Sequence, residues 1–359
     1  KASRFNEGEA VAVINNYRRD DWGVYVMKTT DYGKKWTNIA KDKGVEGYAL
    51  SYVQDLEEPN LMFLGTEFGL YVTIDAGKNW TKWTNGYPTV STYDMVIHPR
   101  EHDLVIGTFG RAFWVLDDIR PLRELAKNGS DELKKTIKAF PLPDAYDAKT
   151  RQARGVRFLG DGIFEGDNRP TGAIITYSVN KENLKNTESE RGGRGERVER
   201  GDRAGGGAGR QAPARGRDNN DPKVEITIID NAGDTVNVLE VTPDNNGINR
   251  TIWRLNTKGI SNYPSRRQGG AGRRGFGGGT VLPGTYKLVL AYGDAKDSTS
   301  VTVHSDPRIE IPISALKANN EIQEQIGEIT EKLANAVDEL KAAKSIIEVN
   351  EKLAAADER

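Results

Sequence analysis

The sequence has 359 residues, 36% of them hydrophobic, no cysteine and a formal net charge of −1. That length allows two or three domains, and the low apolar share means that part of the chain is solvated or extended. A disulfide framework or thiolate metal site is excluded, no overall field draws nucleic acid or an acidic membrane, and no apolar run approaches the roughly 20 residues that span a bilayer.

The first third is repetitive. Residues 24–36 read VYVMKTTDYGKKW and residues 70–80 read LYVTIDAGKNW. Both contain Thr-x-Asp-x-Gly-x-x-Trp, as Thr29, Asp31, Gly33, Trp36 and as Thr73, Asp75, Gly77, Trp80, 44 positions apart. A second element, LGTEFGLYV at 64–72, is echoed 42 positions later by IGTFGRAFW at 106–114. Alternating runs at Tyr48–Val53 and Val90–Ile97 precede these elements. Each unit reads strand, polar turn, strand, Gly turn, strand, Asp turn, strand. Short strands in a repeat of about 40–50 residues are the pattern of β-propeller blades.

The Asp turn has a mechanical explanation. Its carboxylate accepts backbone N–H bonds from the turn, Gly supplies a positive φ, and the Trp ring packs between neighbouring sheets. The motif resembles the Asp-box, or BNR repeat, of sialidases and sortilin-type propellers. That resemblance implies a structural, rim-located role for Asp31 and Asp75. About three blades fit before Asp118, and a propeller needs about four to close. The chain is therefore expected to be the C-terminal part of a longer protein. Residues 114–122, WVLDDIRPL, replace the last Asp turn and read as an exit from the propeller. The expected organisation begins with propeller blades over 1–122 and a connecting helix or linker over 123–137.

From about Lys138 short β-rich runs recur: Gly172–Val179, Val224–Ile229, Thr235–Val241, Thr251–Leu255, Thr285–Tyr292 and Ser298–Val303. Asp/Gly turns separate them, which predicts a β-sandwich over 138–309. Trp253 alternates with Thr251 and Leu255 and is expected in its core. Two Gly/Arg-rich insertions, at 186–222 and 264–280, lack hydrophobic period and read as solvated loops. Acidic Glu190, Glu196, Glu199 and Asp202 offset the arginines of the first, so nucleic acid is not expected as a partner. Over 310–359 a helix follows, with Ser314 as its expected N-cap. Ile322, Ile326, Ile329, Leu333, Ala336, Leu340, Ala343 and Ile347 give it a heptad seam. The seam is expected to pack on a second helix, the chain's own domains or a partner.

The succession TFGRAFWVLDD (108–118), NRPTGA (168–173), GINRTIW (247–253), PGTY (283–286) and DPR (306–308) resembles a large bacterial family. Its members carry a sortilin-like (VPS10-type) BNR propeller and a C-terminal immunoglobulin-like or FlgD-like domain, and are often labelled glycosyl hydrolases. Where that family tends to have Pro-Pro, this chain has Arg169-Pro170. The resemblance implies a mainly β protein: a partial Asp-box propeller, then an immunoglobulin-like sandwich, then a helix. It also implies export to the periplasm, cell surface or medium.

No nucleophile–base–acid set assembles from adjacent motifs. His98, His102 and His304 form no metal-binding pattern, because Pro99 breaks the helix that would align the first two. No cofactor or metal is expected. The candidate functional residues are Arg111 and the paired carboxylates Asp117 and Asp118, although an exit turn also accounts for that pair. The expected function is a non-enzymatic exported binding or scaffolding protein that engages protein or peptide partners. The alternative is a carbohydrate-active hydrolase of sialidase or xyloglucanase type, with most of its active site outside this chain.

Overall fold

A computed structural model describes residues 1–148, 169–184, 222–259 and 278–357. The chain is mainly β, 39% strand and 21% helix, with a C-terminal helix. It divides into two compact units, Lys1–Pro143 with Thr176–Ala208 and Asp244–Asn249, and Asp144–Ile175 with Gly209–Pro243 and Arg250–Arg359.

The first unit opens with three antiparallel meanders. The first is β1 (Ala10–Asn16), β2 (Asp21–Thr29) and β3 (Thr37–Asn38). The second is β4 (Ala49–Gln54), β5 (Met62–Thr66), β6 (Gly69–Thr73) and β7 (Thr81–Trp83). The third is β8 (Thr92–Ile97), β9 (Leu104–Thr108) and β10 (Phe113–Leu116). β4 lies beside both β1 and β8. Both faces of β5 and β6 are buried, and the strand period of two divides their side chains. Met62, Leu64 and Tyr71 join Val11, Val26 and Trp80 in one core, while Phe63, Leu70 and Val72 join Met95, Ile97 and Ile106 in another. Gly65 sets the approach of the second and third sheets. A Cβ there would lie 2.5 Å from the Thr92 carbonyl oxygen.

The expected linker over 123–137 starts earlier than its composition implied. Helix α1 runs Arg120–Asn128, with Pro121 in its first turn and Gly129 at its C-cap. Proline at the start of a helix loses no intrahelical bond and has φ already set, so the helix reaches back into the exit segment. Its Leu122 and Ala126 close the second core. A 3-10 turn, Ser130–Lys134, leads to β11 (Ile137–Ala139).

The second unit holds a five-stranded sheet. It contains β12 (Ala145–Asp147), β14 (Val224–Ile229), β15 (Thr235–Val241), β17 (Gly284–Tyr292) and β18 (Ala295–Ser305), in the order β12-β18-β17-β14-β15. Only β12 is parallel to its neighbour. Strands β13 (Ala173–Val179) and β16 (Gly247–Trp253) form a separate sheet with β11, in the order β11-β13-β16. The strand expected at Thr251–Leu255 thus begins earlier and ends at Trp253. Leu255 has φ 55°, which breaks the extended run. Trp253 is fully buried, edge-on to Tyr286, with its indole N–H donated to the Asn256 carbonyl. The Gly/Arg-rich insertions expected at 186–222 and 264–280 lie, apart from their last residues, outside the described residues.

Helix α2 spans Ile313–Asp357. Its start differs from expectation: Ser314 is already helical, and the Pro312 carbonyl accepts from Ala315 and Leu316. The heptad seam is also not the packed face among the described residues. Ile322, Ile326, Ile329, Leu333, Leu340 and Ile347 are exposed, while Ala334 is buried and Gly327, Thr330 and Val337 are half-buried. Those four recur at spacings of 3 and 4, a second stripe with mostly short side chains. A Cβ on Gly279 would meet the amide end of Gln323, and Gly327 lines a cavity beside it with Thr257 and Thr280.

A candidate binding face on the first unit

The two Asp turns have matching internal bonds. The Thr29 hydroxyl donates to Asp31 Oδ1 at 2.8 Å and accepts from the Gly33 N–H at 2.9 Å, and Asp31 Oδ1 accepts the Lys35 N–H at 2.9 Å. In the second turn Thr73 donates to Asp75 at 2.7 Å and accepts from Gly77 at 3.0 Å, and Asp75 accepts the Asn79 N–H at 2.9 Å. Gly33 and Gly77 have φ 84° and 85°, the left-handed conformation that favours glycine. The Lys35 N–H is the main cause that holds the Asp31 carboxyl below its usual range. Burial pushes Asp75 up, but its bonds from Asn79 and Thr73 prevail and lower it. Asp75 uses both carboxylate oxygens within its turn, and Asp31 uses Oδ1. The tryptophans differ. Trp80 is buried and donates to the Ile39 carbonyl of the neighbouring sheet. Trp36 is 41% exposed and donates to Gly33 of its own turn, so it does not pack between sheets as its motif position implied.

The remaining candidates are not brought together. Arg111 is exposed in the β9–β10 turn, where its carbonyl accepts the Trp114 indole N–H. Asp117 and Asp118 lie at the opposite end of β10. Asp118 is buried with φ 51°, accepts Arg120 Nε at 2.6 Å, and donates its N–H to Asp103. Asp118 therefore shapes the exit from β10.

A charged cluster that the sequence did not announce sits beside it. Arg123 of α1 donates Nε and Nη2 to the two oxygens of fully buried Asp55, at 2.8 and 2.9 Å. Its Nη1 is 2.7 Å from His102 Nδ1 and 3.2 Å from Glu57 Oε2. Asp55 Oδ1 also accepts the Glu57 and Glu58 N–H groups. Arginine has no acceptor, so His102 must receive this bond on an unprotonated Nδ1. Burial, then the Arg123 and Arg120 charges, push its pKa below the usual histidine value, against Glu57 and Asp118. Asp55 and Arg123 are turned inward, while the Glu57 carboxylate stays exposed at the rim. The cluster pins α1 to the β4–β5 and β8–β9 turns.

The exposed chemistry lies at the Gly-turn end of the three sheets. The β1–β2 turn carries Tyr17 and Arg18, and Trp22 stands at the start of β2. Asp21 organises it, accepting from Asn16 Nδ2, the Gly23 N–H and the Tyr25 hydroxyl at 3.0–3.1 Å. The side-chain bond from Asn16, then that from Gly23, lowers the Asp21 carboxyl. Trp22 projects from the start of β2, 56% exposed. Tyr17 stacks on Tyr48, at the start of β4, with ring centres 4.7 Å apart, and Trp22 leans on the same ring at 5.9 Å. Arg18 lies 5.8 Å from the Tyr17 ring centre, and its guanidinium is also within electrostatic reach of Tyr93 on β8. Tyr93 and Phe109, of the β9–β10 turn, are 5.7 Å apart, 51% and 73% exposed. Partial burial and then the nearby Glu67, Tyr93 and Tyr17 push the Tyr48 hydroxyl pKa up. Phe68, of the β5–β6 turn, is exposed against Gly47, where a Cβ would meet its ring at 3.0 Å. Tyr17, Trp22, Tyr48, Tyr93 and Phe109, with Arg18, thus form a band across three sheets. Sequence reasoning noted the runs that hold Tyr48 and Tyr93 and the Gly turn of Phe109, but neither the β1–β2 turn nor the band, because the rings come from residues 17 to 109 and no local spacing marks them.

No protein-family model matches the chain, and no curated protein matches it. Among solved structures, an extracellular domain assigned to a one-component system of B. thetaiotaomicron aligns with 84% of this chain, at 9% identity and a TM-score of 0.18. The chain spans 36% of that structure's length, and a likeness this slight fixes neither fold nor role.

Proposed function

We propose that residues 1–122 are blades of a sortilin-like Asp-box β-propeller, joined to an immunoglobulin-like domain, and that the protein is an exported bacterial binding or scaffolding protein for protein or peptide partners. Three consecutive meanders packed side by side, two closed by Asp turns of matching geometry, support the blade reading. The observation that carries the binding reading is the aromatic band of Tyr17, Trp22, Tyr48, Tyr93 and Phe109 with Arg18. Tyrosine, tryptophan and arginine are the residues that dominate protein-interface energetics, and exposed apolar patches mark interaction surfaces. The hydroxyl, indole and guanidinium groups in the band can hydrogen-bond while their flat faces bury a partner's side chains.

Peptides selected on this protein from a displayed random library provide the probe. A selected peptide should bind with Trp22→Ala and Tyr93→Ala each weakening it about 30-fold, the effect of a loss of about 2 kcal/mol at a hot spot. Trp36→Ala, an exposed ring in an Asp turn, should leave affinity unchanged. Equal binding by all variants would sink the reading. Oligosaccharide binding lost on the same substitutions, with no peptide selected, would replace it with the carbohydrate alternative.

A further inference from the structure

We infer that Asn85 is a modification site, where the side chain closes on the Gly86 nitrogen to a succinimide that water opens to isoaspartate, and that the fold singles it out among the Asn-Gly steps of the chain. Three such steps occur, Asn85-Gly86, Asn128-Gly129 and Asn246-Gly247. A glycine has no Cβ to crowd its nitrogen, so that nitrogen reaches the Cγ of a preceding asparagine more readily than the nitrogen of any other residue does. All three asparagines are exposed, so access to water does not separate them. Their hydrogen bonds do.

Asn128 ends α1. Its Nδ2 donates to Glu124 Oε1 at 2.7 Å, and the Gly129 N–H donates to the Leu125 carbonyl at 2.8 Å. The leaving nitrogen and the attacking nitrogen are both held. Asn246 Oδ1 accepts the Lys181 N–H at 2.8 Å, and Gly247 opens β16 with its carbonyl accepting Asn249 Nδ2 at 2.8 Å. That side chain is turned to Lys181, and its successor is fixed in a strand. The link between β7 and β8 differs. Asn85 is tied there through its main-chain carbonyl, which accepts the Trp83 indole N–H at 2.9 Å. Among the described residues, neither its side-chain amide nor the Gly86 N–H makes a hydrogen bond. Asn85 and Gly86 form a bend between the strands, with Gly86 at φ 67° and nothing within 4 Å of where a Cβ would stand. Ring closure at this bend breaks no strand or helix bond, so it needs no local unfolding.

The chemistry needs only water. The Gly86 nitrogen attacks Asn85 Cγ, the bond from Cγ to Nδ2 breaks, and Nδ2 leaves as ammonia with the proton that Gly86 gives up. Water then adds to the cyclic imide. Opening at the main-chain carbonyl leaves a free α-carboxylate and routes the chain through Cγ, which is isoaspartate. Opening at Cγ leaves aspartate. Either product adds a negative charge to the β7–β8 link. The site is independent of the aromatic band and of the binding reading.

The full chain, aged in warm, mildly alkaline buffer and digested with pepsin at acidic pH, provides the test. Mass spectrometry with fragmentation that separates isoaspartate from aspartate should find isoaspartate accumulating at position 85, and label transferred by an isoaspartyl methyltransferase should map to the same peptide. Asn128 and Asn246 should convert at least about tenfold more slowly, since a site that must first open at a cost of about 1.4 kcal/mol reacts about tenfold less often. In urea above the unfolding transition the three rates should draw together, because the bonds that separate them are gone. Asn85→Gln, which moves the amide carbon one bond further from the Gly86 nitrogen, should remove the product at 85 and leave the other two sites unchanged. The comparison of wild type in and out of urea needs no variant, so it remains decisive if that one misfolds. An intact Asn85, or similar conversion at all three sites in the folded chain, overturns the inference. The same ranking with and without urea also overturns it, since the local sequence alone would then set the rate.

Discussion

At the scale of single residues, the Asp turns were fully legible in the sequence, because every bond that shapes them lies within about one turn of chain. Thr, Asp and Gly at fixed offsets are sufficient to specify the geometry found at both sites. The fate of the following tryptophan was not legible, since it depends on which sheet lies alongside. Trp80 meets Ile39 of a neighbouring sheet, while Trp36 bonds to its own turn. This difference sets an expected asymmetry. Asp75 accepts the Asn79 backbone N–H and also its side-chain amide, at 2.6 Å, and the turn positions a buried ring. Asp75→Ala should cost about 1–3 kcal/mol, the range for lost bonds to a charged group, and Asp31→Ala should cost less. Asp75→Asn, which keeps the main acceptor, should fall between wild type and Asp75→Ala. Urea unfolding of the three variants measures this. Unchanged stability for Asp75→Ala would mean that the carboxylate serves something other than the turn.

Secondary-structure elements divide along the same line. Strands β14 and β15 begin and end where alternation and turn residues put them, and α2 begins at the residue after Pro312. What α2 packs with was not legible. Its strongest heptad signal is the exposed seam, and the stripe of Gly327, Thr330, Ala334 and Val337 carries too little hydrophobicity to stand out. The attachment of α1 was equally hidden, since Arg123 and Asp55 are 68 positions apart. Nothing in the exit segment specifies an ion pair with the β4–β5 turn. Arg123→Ala would leave the Asp55 carboxylate buried and facing no cation. Breaking a buried pair in this way costs about 3–5 kcal/mol, and α1 covers the core of Ile119, Leu122 and Ala126. Replacing both partners together, Asp55→Leu with Arg123→Met, removes the stranded charge and should cost less than Arg123→Ala alone. Denaturant midpoints of the single and double variants decide this. A double variant weaker than the single would mean that the backbone bonds which Asp55 accepts from Glu57 and Glu58 outweigh its pairing with arginine.

For the molecule as a whole, this cluster predicts how stability responds to pH. His102 is neutral in the fold because Arg123 occupies Nδ1 from the donor side, and its folded pKa lies below the ordinary histidine value, which is about 6.5 in the unfolded chain. As pH falls below about 6.5, the unfolded chain takes up a proton that the folded chain resists, so stability declines; it is regained as pH rises through the same window. The slope from one such group is at most about 1.4 kcal/mol per pH unit. A second decline belongs to carboxyls held low in the fold, by the Lys35 N–H at Asp31, by Lys135 at Glu132, and by Arg308 at Asp306, whose pKa is lowered to about 2. Their contribution is present above about pH 4 and is lost as pH falls further. The two steps are separable with His102→Asn. Asparagine tolerates the left-handed backbone at this position, φ 59°, and its side-chain oxygen can accept from Arg123, but it does not titrate. Wild type and variant, compared by urea unfolding at pH 7.5, 6.0 and 5.0, should diverge only as the pH drops, with wild type losing stability faster. Below about pH 4 the two should decline in parallel, because the aspartates and glutamates are common to both. Parallel curves over the whole range from pH 7.5 to 5.0 would mean that His102 takes its proton in the fold as readily as out of it, and that Glu57, 3.6 Å from the ring, outweighs Arg123.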